Sequence, residues 1–180
     1  MSEEIGRGAS GAGGPLAWIV RHRARIDRLL LWGGVAAAAV VAVAGVATGH
    51  VRFLTGYVAP FFLAGPLWLR LRLRGIETTP RPVTWLDAAV FTLAALRSVP
   101  IAVGILPYSG HTLFATYAAA VTPERGFRAL AAILLLTTTA YKLWIWRDPA
   151  SWGWGLGMGI AAALLHAWLA VHDRRRIGRA

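Results

Sequence analysis

The chain contains no cysteine, which excludes both a disulfide framework and a thiolate metal site. Charged side chains are also scarce, since Asp, Glu, Lys and Arg make up 15% of the 180 residues while apolar residues make up 57%. A soluble domain of this length usually carries more charge. Acidic residues are the rarest class, with eight against nineteen Lys and Arg, and the formal net charge is +11. This composition indicates an integral membrane protein.

The basic residues lie in short blocks between apolar runs. One block at 21–28 precedes the first run, another at 70–74 follows the second, and a third at 174–179 ends the chain. A nucleic-acid-binding protein would instead cluster its basic residues on one face, with stacking aromatics interleaved, so no nucleic acid is expected as a partner. Blocks of this kind are typical of the cytoplasmic loops of membrane proteins.

The apolar runs predict an all-α fold, a polytopic membrane helix bundle with six transmembrane helices. A helix needs about 20 apolar residues to cross a bilayer core. We expect spans at about 29–48, 53–69, 84–106, 111–121, 129–146 and 154–171. Residues 1–20 are expected to be a disordered tail, residues 21–173 to form the transmembrane domain, and residues 174–180 to form a basic cytoplasmic tail.

The fourth span has only eleven residues, and the charge distribution decides whether it crosses. With six crossings and a cytoplasmic N-terminus and C-terminus, fifteen of the nineteen basic residues lie inside. If residues 111–121 did not cross, the basic block at 174–176 would be exported, against the positive-inside rule. Six spans are therefore favoured, with the turn at 107–110 recessed in a pocket that opens outward. The Arg- and Ala-rich chain fits a multi-pass protein of a bacterial cytoplasmic membrane.

Several local patterns add expectations within this frame. Thr84 and Asp87 have the spacing of a capping box that would open the third span. Tryptophans fall near both predicted membrane boundaries, as in an aromatic belt. A glycine-rich segment in the sixth span holds two overlapping GxxxG pairs that allow another helix, internal or from a second subunit, to approach closely: Gly153, Gly155, Gly157 and Gly159.

Polar residues in and beside the spans predict a binding site. Ionisable residues inside spans are costly and usually face a pocket or a partner. An outward-facing cationic pocket suited to a phosphate, a carboxylate or an anionic lipid head group is predicted from four residues: Arg97, His111, Lys142 and Arg147. The structural alternative is that Lys142 snorkels to the outer surface and that Arg97 bonds carbonyls freed by a kink at Pro100. No spacing indicates a metal site, and no cofactor is expected.

The segment Pro107-Tyr108-Ser109-Gly110-His111-Thr112 resembles the P-S-G-H block of the type 2 phosphatidic acid phosphatase superfamily, with one residue inserted between Pro and Ser. In that family the block opens a helix and its His is the general acid, which implies catalytic roles for His111 and Ser109. A second family block supplies an Arg that holds phosphate, a nucleophilic His and an Asp that orients it. The resemblance covers residues 107–151. In this chain the Arg position holds Tyr141 with Lys142 beside it, the position of the nucleophilic His holds Arg147, and the position of the orienting Asp holds Ser151.

Three functions follow from these observations. The first is a non-catalytic membrane protein whose cationic pocket binds an anionic lipid head group, or which serves as a subunit of a membrane complex. The second is a lipid phosphatase or phosphotransferase of the resembled superfamily with rewired residues, which requires a second imidazole near His111 because phosphohistidine chemistry needs a nucleophile and a proton donor. The third is a small transporter that uses Arg97 and Lys142 along its pathway.

Overall fold

The computed structural model describes residues 18, 21–77, 81–97 and 105–177, and every regular element within these ranges is helical. The predicted all-α fold is therefore confirmed. The second helix contains a π-helical stretch at Leu54–Val58, and the fifth ends in another at Tyr141–Ile145. The helices are α1 (Arg23–Ala47), α2 (Val51–Phe53, the π-helical stretch and Ala59–Glu77), α3 (Arg81–Leu96), α4 (Gly110–Val121), α5 (Arg125–Ala140, extended by the second π-helical stretch) and α6 (Pro149–Ile177).

Three of these helices have the length and composition needed to cross a membrane. They cover Arg23–Ala47, Arg125–Ile145 and Pro149–His172. In the most apolar 18-residue stretch of each helix, only 17%, 28% and 11% of the stretch is buried inside the protein. Pro82–Leu96 is a shorter apolar helix. Large apolar side chains such as Val40, Leu136 and Leu164 are exposed on the outward faces of α1, α5 and α6. Apolar surface on this scale is not left in contact with water in a soluble monomer.

The short helix α4 lies at the centre of the bundle. Its side chains Phe114, Ala115, Tyr117 and Ala118 are each 2% exposed or less, and it packs against α3, α5 and α6. A helix that is apolar on all sides is a buried helix. Twelve residues rise only about 18 Å against a hydrocarbon core of about 30 Å. Because protein surrounds α4, its length does not have to match the bilayer.

Neighbouring helices alternate in direction. At one end of the bundle, Arg70 of α2 is 1% exposed and pairs with Asp27 near the start of α1 at 3.2 Å and with Glu124 at the start of α5 at 2.7 Å. At the other end, Ser109 before α4 donates its N–H to the Ser151 carbonyl in the first turn of α6 at 2.8 Å. The starts of α4 and α6 thus lie together at the end where α5 finishes.

Two sequence expectations about α3 are not met. The predicted capping box is wrong, because α3 already begins at Arg81 and places Thr84 inside the helix. Asp87 is buried and accepts a hydrogen bond from the Tyr117 hydroxyl of α4 instead. The predicted third span continued to residue 106, whereas Ile105 and the next residue are not helical and residues 98–104 lie outside the described part of the chain.

The described residues include only part of the two predicted tails. Of the expected disordered segment 1–20, all but residue 18 lies outside the described residues. At the other end, α6 continues to Ile177 and so includes the basic residues 174–176 that were assigned to a separate tail.

Candidate functional site

A cavity of about 330 Å³ lies at the end of the bundle where α4 and α6 begin. The cavity is lined by residues of α2, by the residue that follows α3, by the start of α4, by the π-helical end of α5 and by the turn between α5 and α6. Four of the five predicted site residues contribute to it, and Arg147 does not. Its lining consists of Tyr57, Arg97, Ser109, Gly110, His111, Lys142, Trp146 and Asp148.

Ser109 shapes the cavity as the N-cap of α4. Its backbone is extended, with φ −89° and ψ 114°, and its hydroxyl oxygen accepts from the Thr112 N–H at 3.4 Å and from the Thr112 hydroxyl at 2.9 Å. A serine in this position satisfies a backbone donor that the first helical turn leaves free. The next residue, Gly110, has to be a glycine because a Cβ at this position would clash with the carbonyl of Ala94 in α3. The Ser-Gly-His sequence is therefore explained locally by a helix start in close contact with α3.

Arg97 connects the end of α3 to this turn. Its Nε donates to the Tyr108 carbonyl at 2.8 Å, and the Tyr108 hydroxyl donates to the Leu93 carbonyl at 2.9 Å. Arg97 therefore bonds the turn before α4 and lines the cavity. Within the described ranges, no carboxylate lies within salt-bridge distance of Arg97. Its guanidinium is thus a cation of the cavity wall that is in no ion pair with a described carboxylate.

Lys142 does not extend to the surface. It is 8% exposed, and its Nζ lies 2.9 Å from Asp148 Oδ2, 2.9 Å from Ser151 Oγ and 4.9 Å from the centre of the Trp146 ring. Ser151 also donates its hydroxyl to Asp148. The snorkelling alternative therefore does not describe Lys142. Its charge is balanced by Asp148, so Lys142 closes the turn between α5 and α6 and contributes less positive potential than the sequence predicted.

Asp148 stands out in the sequence as a polar residue next to Arg147, but its role was not predicted, although a signal for that role exists. Asp148 directly precedes Pro149, the first residue of α6, and accepts the Ser151 N–H at 3.2 Å. An Asp followed by Pro is a helix start, because Asp caps the first turn and Pro tolerates the first helical position. The positions of Tyr57 and Trp146 in the cavity wall were missed, since nothing in the sequence distinguishes these aromatics from others in and beside the apolar runs.

His111 presents an unpartnered nitrogen at the cavity wall. Its ring packs edge-to-face against Phe61 and Tyr57, with centroid distances of 4.7 and 5.8 Å. Its Nε2 is buried and has no hydrogen-bond partner among the described residues. Buried polar atoms in folded proteins are normally paired, so this nitrogen is available to a ligand in the cavity.

None of the other described histidines lines the cavity. His50 is exposed, and its Nδ1 lies 2.9 Å from the Thr48 carbonyl. His166 belongs to a separate buried cluster, in which its Nδ1 lies 2.8 Å from the Tyr117 hydroxyl and 3.7 Å from Asp87 Oδ1. That cluster joins α3, α4 and α6 further along the bundle.

Arg147 is exposed and lies outside the cavity lining. Its φ of 51° makes it the one non-glycine residue of the described chain in the left-handed region, a conformation that costs roughly 1–2 kcal/mol for an L-residue. The turn that this conformation produces carries the next residue, Asp148, into the cavity wall. The structure therefore does not bring Arg147 together with the other predicted anion-binding residues.

The four glycines of α6 divide into two pairs. A Cβ on Gly155 would lie 2.6 Å from the Ser109 carbonyl oxygen, and one on Gly159 would lie 2.7 Å from Thr116 Cβ, so this pair packs against α4. A Cβ on Gly153 or Gly157 would meet nothing within 4 Å. The internal helix partner of the glycine-rich segment is thus α4.

No family model, curated protein or solved structure matches this chain. The resemblance to the type 2 phosphatidic acid phosphatase superfamily therefore stays a prediction. The fold and its exposed apolar faces define the class, a helical-bundle membrane protein. Within that class, the particular feature of this protein is a polar cavity at one end of the bundle, formed around the start of a short, buried central helix.

Proposed function

We propose that the protein crosses the membrane six times, with both termini in the cytoplasm of a bacterial cell and the cavity opening outward. The alternating helix directions support this arrangement, since α1, α2 and α5 bring the basic segments next to them to the Arg70 end of the bundle. The cavity lies at the opposite end. The positive-inside rule then assigns the Arg70 end to the cytoplasm.

We further propose that the cavity binds the anionic group of a ligand, a phosphate or a carboxylate, without chemical conversion. The observation that carries this proposal is the convergence of Arg97, which has no carboxylate partner among the described residues, and the unpartnered His111 Nε2 on one cavity. A guanidinium suits such a group because it donates two parallel hydrogen bonds. The volume is near the lower limit of ligand pockets, which is about 300 Å³. A head group fits this space better than a large ligand.

A lipid phosphatase is the second candidate, favoured by the free imidazole nitrogen beside a cation. Transfer through a phosphohistidine needs one nucleophile and a separate proton donor. The described lining holds a single imidazole, so a phosphatase would lack either its nucleophile or its proton donor. Anion binding needs only the residues that are present. No feature of the described cavity favours a transport pathway.

The binding proposal is tested with Arg97→Gln, and Arg147→Gln is the matched control. We expect Arg97→Gln to weaken the binding of inorganic phosphate and of phosphatidic acid by about tenfold or more, because a charge-assisted hydrogen bond contributes roughly 1.5–3 kcal/mol. Arg147→Gln removes the same charge outside the lining and is expected to change affinity less than about twofold. The measurement is equilibrium binding to purified protein in nanodiscs of neutral lipid. Equal effects of the two substitutions would contradict the proposal.

A phosphate-release assay on the same preparations separates binding from catalysis. We expect no turnover of a panel of lipid phosphates by the unmodified protein, and weaker phosphate binding by His111→Ala. Turnover that His111→Ala abolishes would instead establish the phosphatase. Arg97→Lys, which keeps the positive charge, should retain part of the affinity and controls for loss of the Tyr108 contact.

A further inference from the structure

An apolar groove of about 350 Å³ runs between α1 and α2 on the outer face of the bundle. Gly33 and Ala37 of α1 and Gly65 of α2 form part of it, with larger apolar side chains at its edges. A Cβ added to Gly33 or Gly65 would meet nothing within 4 Å. The groove therefore exists because small residues on both helices leave space that no other described side chain fills.

The groove and the cavity are separated by the rings of Phe61 and His111, which are in contact. Phe61 lines the groove, and its ring packs against His111, which lines the cavity. Tyr57 lies one helical turn before Phe61 on α2, contacts it edge-to-face at 5.8 Å and lines the cavity. The same stripe of α2 thus leads from the polar cavity to Phe61 and on to Gly65.

The dimensions of the groove suit a single hydrocarbon chain. Its α1 side extends over residues 29–37, a rise of about 12 Å, mostly in the half of α1 nearer the Arg70 end. A helix is about 10 Å across and over the same length would occupy roughly 900 Å³, so a helix from another subunit could lie on the groove but not within it. The surface beside the groove is apolar, with Leu29 and Trp32 exposed.

We propose that the ligand of the cavity is a lipid, with its anionic group at Arg97 and one acyl chain along the groove between α1 and α2. This inference rests on the proposed anion-binding function, and it names the class of ligand. A single occupant that fills both spaces needs a compact anionic end and a flexible apolar chain that lies over Phe61, because the rings of Phe61 and His111 separate the groove from the cavity. The groove holds the chain by van der Waals packing and not by the hydrophobic effect, because acyl chains of the surrounding bilayer are equally apolar.

The test fills the groove without touching the cavity. Gly33→Leu and Gly65→Leu place a side chain in open space, so both variants should fold. Gly157→Leu is the matched control, because its Cβ also meets nothing within 4 Å and it lies on α6, outside the groove. Each protein is titrated in nanodiscs of neutral lipid with two probes, long-chain phosphatidic acid and inorganic phosphate.

We expect the groove variants to bind phosphatidic acid about tenfold more weakly and to bind inorganic phosphate within about twofold of the unmodified protein. Gly157→Leu should leave both affinities unchanged. Unchanged binding of phosphatidic acid by Gly65→Leu would overturn the acyl-chain proposal and leave the anion site standing. Loss of inorganic phosphate binding in the groove variants would also overturn it, because the substitution would then act through the cavity. If Arg97→Gln affects neither probe, the anion-binding function itself fails.

Discussion

Asp148 is the residue that fixes the charge balance of the cavity. It caps α6, pairs with Lys142 and accepts the Ser151 hydroxyl. Burial acts to raise the pKa of Asp148, but the hydrogen bonds from Ser151 and Lys142, together with the Lys142 charge, outweigh burial and lower the pKa to about 2. The carboxylate is therefore ionised throughout the physiological pH range, and Lys142 is held as its counter-ion.

A pH dependence of stability follows from this carboxylate. Because the pKa in the folded protein lies below the ordinary value of 3.8, the stabilisation is complete above about pH 4 and is lost as the pH falls towards 2. We expect the Tm of the detergent-solubilised protein to fall more steeply between pH 4 and pH 2 than the Tm of Asp148→Asn, each relative to its value at pH 6. Other carboxylates titrate in both proteins, so the difference between the two curves is the measurement. Parallel curves would contradict the assignment.

The individual polar residues of the cavity could be predicted from the sequence, but the contacts between them could not. Arg97, His111 and Lys142 are conspicuous because they interrupt apolar runs. The pairing of Lys142 with Asp148 depends on the π-helical stretch and on the left-handed backbone of Arg147, which redirect the chain within six residues. Neither the π-helical stretch nor the left-handed backbone can be predicted from the amino-acid composition of the segment.

Among the elements, α6 shows how glycine spacing separates two faces of one helix. Gly155 and Gly159 lie on the face in contact with α4, and Gly153 and Gly157 lie on a face with open space. The sequence identified both GxxxG pairs but could not distinguish them, because the pairs are identical in spacing. Only the position of α4 decides which pair is packed.

Alanine substitutions should separate the two faces. Gly159→Ala forces a methyl group to within 2.7 Å of Thr116 and 2.8 Å of the Leu113 carbonyl oxygen, and overpacking of this kind costs about 1–3 kcal/mol. Gly157→Ala adds the same methyl group without a contact and gains up to about 1 kcal/mol of helix propensity. We expect the Tm of Gly159→Ala to fall and that of Gly157→Ala to be unchanged or higher. A lower Tm for Gly157→Ala would place another chain against that face.

The helix boundaries predicted from the apolar pattern agree with the structure where a helix is short and flanked by polar turns. The predicted span 111–121 corresponds to α4 at Gly110–Val121, because Ser109 and Thr122 interrupt the pattern at both ends. The start of α3 was misplaced, since the Thr84 and Asp87 spacing imitates a cap although Asp87 is bonded to another helix. A partner distant in sequence cannot be read from local spacing.

For the whole molecule, helix direction is the property that determines membrane topology. Arg70, Asp27 and Glu124 hold three helices at one end, and Ser109 and Ser151 join two helix starts at the other. These contacts show which ends lie together, whereas the side of the membrane that each end faces rests on the distribution of basic residues.

The absence of cysteine makes the proposed topology directly measurable. His50 in the turn before α2 and Arg125 at the first position of α5 are exposed residues at opposite ends of the bundle, so His50→Cys and Arg125→Cys each introduce a single thiol. A membrane-impermeant maleimide added to intact cells should label His50→Cys, and Arg125→Cys only after the cells are lysed. The reverse pattern would show that the cavity opens to the cytoplasm, and labelling of both in intact cells would contradict an integral bundle.

The burial of α4 has a consequence for biogenesis. The chain is made from its N-terminus, yet the most extensive packing of α4 is with α6, which is synthesised after α4 and α5. Until α6 arrives, the carbonyl of Ser109 and the side chains of Thr112 and Thr116 lack the glycine face that covers them. A nascent chain that ends before α6 should therefore be recognised as incomplete by membrane quality control, although its α1 can already span the bilayer.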